Sequence, residues 1–399
     1  MPDSTHPFPG TVLTALAIVV LAACGGRAEP SGGAATAPAT ATVTTGSPSG
    51  SAVPSTGSTP DPIVELAAGP LDLDLVGNTG YLTLSNGQIL RLQLAGRDLV
   101  LSPVADGLGF LRGVARSGNV LFVGGLGPML CPEPFYVCQA THIDPANPPA
   151  GEAAQVDQSS GFVKAFEILS DGTLSEPTTV LEGIPVVNTD HGVNDLEVGP
   201  EGSLYVAVGN IDATTLERRP IHHPHADWLG TVLRVDPALG AVEVFARGLR
   251  NVYGMVFSGH GELIGADNDG VTRSGDWRYE ELVVIERGSD HGFPDAGTFT
   301  PGRGDRILTL LPQFGSGGLA LDDSGAFIGG CGQVLFQPLS RGSSGELVAP
   351  PRTSARVLTK IDGCASIVER LGDGLLVGYW SFLNEPPFMR GYLMHLPAS

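Results

Sequence analysis

The chain has 399 residues, 56 of them Gly and 32 Pro, and carries a formal net charge of −20. That much Gly and Pro punctuates strands and turns rather than helices, and the acidity leaves no basic stripe for a phosphate backbone, which excludes nucleic-acid binding. The length suits either two average domains or one large all-β domain.

In chain order, the first element is an apolar run from Thr11 to Ala23. It is too short for a comfortable membrane span and suits a signal-peptide core. It ends in Leu21-Ala22-Ala23-Cys24-Gly25, which resembles the lipobox of bacterial lipoproteins. The resemblance implies that residues 1–23 are a lipoprotein signal peptide. Cys24 would then be lipidated and the rest exported, anchored to the membrane at the cell surface or in the periplasm. Residues 24–62 are almost entirely Ser, Thr, Ala, Gly and Pro. They hold too little large apolar surface to offset the entropy of ordering, and read as a disordered tether.

From residue 63 to 399 one phrase recurs: an apolar run, a Gly-bearing tight turn, and a second alternating run. Copies run from Leu71 to Leu94, Arg112 to Gly124, Asp195 to Val235, Gly254 to Glu286, Gly318 to Leu335, and Ala365 to Leu396. Six hairpin-built repeats predict an all-β, six-bladed β-propeller. The alternative, a long β-sandwich, rarely repeats one phrase so often. No glycine-rich phosphate loop follows a strand and opens a helix, which excludes a Rossmann-type site.

Four cysteines follow Cys24, and an even count in an exported chain reads as disulfides. Cys131 and Cys138 would close one loop; Cys331 and Cys364 would staple neighbouring repeats. Four buried thiols are the alternative.

Polar residues gather ahead of the inner strands. Asp190-His191 precedes the strand at Leu196, where a His stands to act as a base near neutral pH and an adjacent Asp can orient its ring. Arg250-Asn251 takes the equivalent place one repeat later, offering a fork of donors and a carboxamide. Asp267-Asn268-Asp269-Gly270 with Glu280 and Glu281 is an oxygen-rich set of the kind calcium takes. His222, His223 and His225, beside Arg218, Arg219 and Trp228, match no standard metal spacing and read as a solvated loop.

Taken in order, Asp190-His191, the hairpin from Leu196 to Asn210, Gly230 to Pro237, Ala246 to Asn251, Glu281-Leu282 and Gly288 to Pro294 resemble the glucose/sorbosone dehydrogenase family. That family is built on six-bladed propellers, and its best understood members oxidise sugars with pyrroloquinoline quinone (PQQ) and calcium. The resemblance implies oxidation of an aldose or related polyol, with an electron acceptor downstream. His191 would be the base and Asp190 its orienting partner. Arg250 and Asn251 would hold the quinone oxygens, with Arg250 stabilising charge as hydride arrives. Asp269 and Gly270 would hold the cofactor's calcium, and Glu280 with Glu281 a structural one. The chain departs from the pattern at Leu108-Gly109, where the family has a Gln. It departs again at Ser340, where a cofactor-gripping Lys is expected and Arg341 is the available substitute.

Two other readings follow from the same residues. One is a non-catalytic, calcium-stabilised propeller that binds carbohydrate or a protein partner. The other is a lactonase-type propeller hydrolase with channel calcium held by residues such as Asp195 and Glu197.

Overall fold

A computed structural model describes residues 41–43, 63–95, 98–126, 160–186, 190–210, 223–238, 240–268, 270–272, 275, 277–298, 306–350, 355–382 and 389–397. The chain divides into Met1–Ala39 and a compact unit, Thr40–Ser399. The expected lipobox at Cys24 and the Cys131–Cys138 pair lie outside the described residues. Within the stretch expected to be tether, Ala41–Val43 pairs antiparallel with Leu99–Leu101 at an outer sheet edge. That corrects the disordered reading for these three residues: an edge strand presents unpaired backbone groups that a passing segment can satisfy.

Blade 1 is built from Pro70–Val76, Thr79–Leu84, Ile89–Ala95 and Asp98–Ala105. Blade 2 comprises Phe110–Ser117, Val120–Leu126, Gly161–Glu167 and Thr178–Ile184. Blade 3 comprises Val193–Val198, Leu204–Val208, Thr231–Asp236 and Ala241–Ala246, and blade 4 comprises Val252–Phe257, Leu263–Asp267, Glu281–Ile285 and Arg306–Leu310. Each is an antiparallel meander.

Six further strands form one continuous sheet that carries two blades. Strand Gly325–Pro338 doubles back at Gly332 (φ +83°), so that Leu339 N–H donates to Ser324 O (3.1 Å). With Leu319–Asp322 and the first half of Arg356–Leu371 it makes blade 5. The second half of Arg356–Leu371 is the inner strand of blade 6, followed by Gly374–Phe382 and Met389–Leu396. Cys331 and Cys364 are paired in register and joined by a disulfide, which staples the blade 5 bend to the crossover into blade 6 as expected. Val64–Leu66 pairs with the last strand, Val64 opposite Leu393, so the first blade strand completes the last blade and closes the ring.

Side-chain alternation holds the ring together. In Leu204–Val208, which is buried throughout, Leu204, Val206 and Val208 pack against blade 2 while Tyr205 and Ala207 pack against blade 4. A middle blade strand is covered on both faces, so it is an unbroken apolar run instead of an amphipathic one. Six apolar clusters fill the six blade interfaces, including the one between blades 6 and 1 where Leu376 and Leu393 meet Leu73, Leu82 and Leu92. That closed set fixes the blade number at six.

The inner strands surround a cavity of about 320 Å³ lined by residues of all six blades. Its wall carries Asp72, Asp74, Asp195, Glu197 and Glu369, with Arg116 and Arg370. Two of these acids clasp neighbouring blades: Asp72 accepts Val114 N–H (2.6 Å) and Asp195 accepts Met255 N–H. Burial, then repulsion by other channel carboxylates, pushes Asp72, Asp195, Glu197 and Glu369 well above the usual carboxylate range. Burial also raises Asp74, against the pull of its 2.9 Å ion pair with Arg116.

A carboxyl whose folded pKa is raised stabilises the fold while protonated, and that contribution is lost as pH rises through the raised value. The melting temperature should therefore fall between about pH 5 and about pH 8. The E197Q/E369Q variant should lose less over that window, by roughly 3 °C or more. Thermal unfolding followed at both pH values checks this; parallel curves would contradict it.

Candidate functional site

Where the inner strands of blades 3 and 4 begin, two loops meet. Asp190-His191-Gly192 leads into Val193, and Gly248 to Asn251 leads into Val252. Asn251 is 2% exposed. Its Nδ2 donates to Asp190 O (3.0 Å), and its Oδ1 accepts from Asn194 Nδ2 (2.6 Å). Asn210 joins the loops a second time: its N–H donates to Arg250 O (2.8 Å), and its carbonyl lies 2.6 Å from His191 Nδ1. A carbonyl only accepts, so Nδ1 carries the proton and Nε2 of the neutral ring is the acceptor. Ring orientation is thus set by the Asn210 peptide. Gly209 is required at this junction, because a Cβ there would fall 2.6 Å from Asn251 Oδ1 and 2.7 Å from His191 Cα.

The Asp190 carboxylate, 48% exposed, pairs with Arg112 of blade 2 (3.1 Å). Arg112 is 4% exposed, donates also to the Tyr253 hydroxyl of blade 4 (2.9 Å), and lies over the Tyr253 ring at 4.5 Å. Burial pushes the Tyr253 phenol far up. Tyr253 also lines the channel cavity, so this trio stands between that cavity and the loops.

Beneath the Arg250-Asn251 turn lies Asp267, 0% exposed, at the end of the second strand of blade 4. Its Oδ1 accepts Asn251 N–H (2.7 Å) and Arg250 N–H (3.0 Å), and its Oδ2 faces Arg278 Nη2 at 2.7 Å. Arg278, equally buried, reaches Glu281 Oε2 (3.3 Å) and donates from Nη1 to Gly248 O (2.9 Å) and His291 O (3.0 Å). Asn268 ties the turn to blade 5 by donating to Asn251 O and Ser316 O, both at 3.0 Å.

Asp190, His191, Arg250, Asn251 and Gly270 are therefore brought to one end of the propeller. A Cβ on Gly270 would fall 2.6 Å from Arg250 Nε, so this glycine makes the cradle in which the guanidinium stem lies. Asn251 differs from expectation: burial and its two side-chain bonds make it a bracket between loops.

Arg341 is a clear correction. Its guanidinium pairs with Glu262 in the Ser258–Glu262 turn, at the other end of the strand that terminates in Asp267. Five residues of strand separate the two ends by on the order of 15 Å, so Arg341 does not reach the site.

The expected structural calcium at Glu280 and Glu281 does not fit this donor set. Consecutive residues entering a strand point to opposite sides, and these two do. Glu280 accepts backbone N–H from Phe314 (2.9 Å), Gly315 (2.7 Å) and Ser316 (3.0 Å). Glu281 accepts Thr298 Oγ1–H (2.6 Å) and faces Arg278, whose guanidinium is the positive charge between it and Asp267. Among the described residues no group of three or more His, Cys, Asp or Glu is arranged to hold a metal ion. Asp269 lies outside them, as do His222, Arg218 and Arg219. His223 and His225 are packed, not solvated: His223 is buried and accepts His225 N–H (3.1 Å), while His225 stacks on Trp228 at 4.0 Å.

Arg112, Tyr253 and Arg278 escaped sequence reasoning. Arg278 is a lone Arg with no pattern around it. Arg112 carried a signal, a charge within the stretch Phe110 to Ala115 that is otherwise apolar or glycine.

A domain family of unknown function (DUF7133) matches residues 152–340, and no curated protein matches the chain. Among solved structures, a glucose dehydrogenase-like oxidoreductase of Thermus thermophilus is 20% identical, with a TM-score of 0.61 over 84% of this chain and 99% of that one. The PQQ-bound aldose sugar dehydrogenase of Streptomyces coelicolor is 18% identical, with a TM-score of 0.57 over 84% and 98%. The holo PQQ domain of pyranose dehydrogenase from Coprinopsis cinerea is 13% identical, with a TM-score of 0.57 over 83% and 94%. These structures share the propeller fold of this chain.

Removing Arg278 should be severe, because it strands Asp267 and Glu281 as buried carboxylates without their counter-charge. R278M is expected to lose about 3–5 kcal/mol of stability by denaturant unfolding. A loss under about 1 kcal/mol would be that of an exposed pair and would contradict the burial.

Proposed function

We propose that this chain oxidises a sugar or related polyol at the Asp190-His191/Arg250 end of the propeller, with PQQ as the electron-accepting cofactor. The observation that carries the reading is the Asn210 peptide. It holds His191 with Nε2 as acceptor and, through its N–H, ties that loop to the Arg250 loop. The sugar dehydrogenases that share the fold support the same reading.

His191 Nε2 takes the proton of the substrate hydroxyl as its C–H bond breaks. PQQ supplies the two-electron acceptor for the hydride. Arg250, seated against Gly270, would hold an anionic group of that cofactor and offset its negative charge. Asn251 acts from beneath by fixing Asp190 and Asn194. Reoxidation requires an external electron acceptor. Export through the signal peptide and anchoring through Cys24 would place this chemistry outside the cytoplasm.

The buried Asn251 and the distant Arg341 favour a second reading, a propeller that binds carbohydrate or a partner without catalysis. Calorimetric titration of the protein with PQQ separates the two. Stoichiometric binding is expected in wild type and H191Q and is lost in R250A. H191Q should retain cofactor and lose about 10²- to 10⁴-fold in sugar oxidation with an artificial acceptor. No binding at tens of micromolar by folded wild-type protein would contradict the enzyme reading and leave the binding module.

A further inference from the structure

We propose that Arg112 is a positioning residue for His191, fixing the Asp190-His191 loop through the Asp190 carboxylate and neutralising that negative charge beside the imidazole. The inference deepens the reading of His191 as the base of this site.

Arg112 starts from the inner strand of blade 2, yet its guanidinium ends among groups of two other blades. It bonds Asp190 ahead of blade 3 (3.1 Å) and the Tyr253 hydroxyl of blade 4 (2.9 Å). Its main chain is fixed as well: Thr83 Oγ1 donates to Arg112 O (2.6 Å). The Asp190 residue is consequently held at both ends, by Arg112 at the carboxylate and by Asn251 Nδ2 at the carbonyl (3.0 Å). His191, the next residue, is held at Nδ1 by Asn210 O. The loop on either side of the ring cannot shift without breaking one of these contacts.

The electrostatic consequence follows from the charges around the loop. Around the loop stand Asp190 in its own segment, Arg112 of blade 2, Tyr253 of blade 4, and Arg250 in the loop bonded to Asn210, with Asp267 beneath that loop paired to Arg278. Asp190 alone would favour imidazolium and delay the appearance of the free base as pH rises. Arg112 opposes it from the same carboxylate. A Leu here would keep the bulk and lose both the clamp and the charge; a Lys would keep the charge.

The test needs neither cofactor nor sugar. Protein carrying ¹³C/¹⁵N-labelled histidine is titrated by NMR, the His191 signal being assigned by its absence in H191Q. R112L is expected to raise the His191 pKa by about one unit, R112K to return it towards wild type, and D190N to lower it. In R112L/D190N the two shifts should largely cancel. D190N alters a half-exposed side chain, so its result stands even where R112L fails to fold. A His191 pKa that stays within about 0.2 unit of wild type in R112L, or in D190N, would overturn the proposal. Failure of PQQ binding would remove the enzyme reading and leave this result standing. Where oxidation is measured, the acidic limb of kcat/KM should move with the NMR value, which a merely structural role for Arg112 would not produce.

Discussion

Everything at the polar end of this propeller rests on one buried carboxylate. Asp267 is enclosed at the end of a blade 4 strand, and its oxygens are shared between two backbone N–H groups and a guanidinium. An ionised group there is tolerable only because each lone pair has a donor and Arg278 supplies the opposite charge. Those two backbone donors belong to Arg250 and Asn251, so the charge pair dictates how that turn is folded. The turn in turn dictates the neighbouring loop, because Asn251 binds Asp190 O and Asn194. Placement of His191 is thus three contacts removed from a fully buried ion pair.

The propeller architecture explains why such a chain of contacts is possible. Six apolar clusters hold the blades face to face, so the backbone positions at which the inner strands begin are fixed before any polar contact is made. The inner edges cannot pack as tightly, and the channel they leave is lined with acids, of which Asp72 and Asp195 clasp adjacent blades through N–H groups. Burial and mutual repulsion raise the channel carboxyls Asp72, Asp195, Glu197 and Glu369, whereas Asp267 is buried against the Arg278 guanidinium. The channel acids face other carboxylates, while Asp267 faces a guanidinium.

Repeat number and strand positions were legible in the sequence because the Gly-bearing hairpins from Leu196 to Val208 and from Met255 to Ala266 repeat one phrase, each ending in an unbroken run of apolar and small residues that stacked blades cover on both faces. The Cys331–Cys364 staple was legible from cysteine count, and the pairing of the Asp190-His191 and Arg250-Asn251 loops from their equivalent places one repeat apart. The fate of individual carboxylates was not. Glu280 and Glu281 look alike in sequence and meet unrelated donors on opposite sides of the strand, Arg278 from three residues before Glu281 and the Phe314–Ser316 amides from a distant chain segment at Glu280. Arg341 was expected as a cofactor cation because it stands beside Ser340, where the family resemblance places a Lys, but the structure pairs it with Glu262 at the other end of the blade.

Amide hydrogen exchange on D267N tests the central dependence most directly. Faster exchange is expected in two segments, residues 248–252 and 190–194, with the Ser258–Glu262 turn at the opposite end unchanged from wild type. Unchanged exchange in residues 190–194, or a uniform acceleration across all six blades, would contradict the claim that this buried carboxylate organises the site.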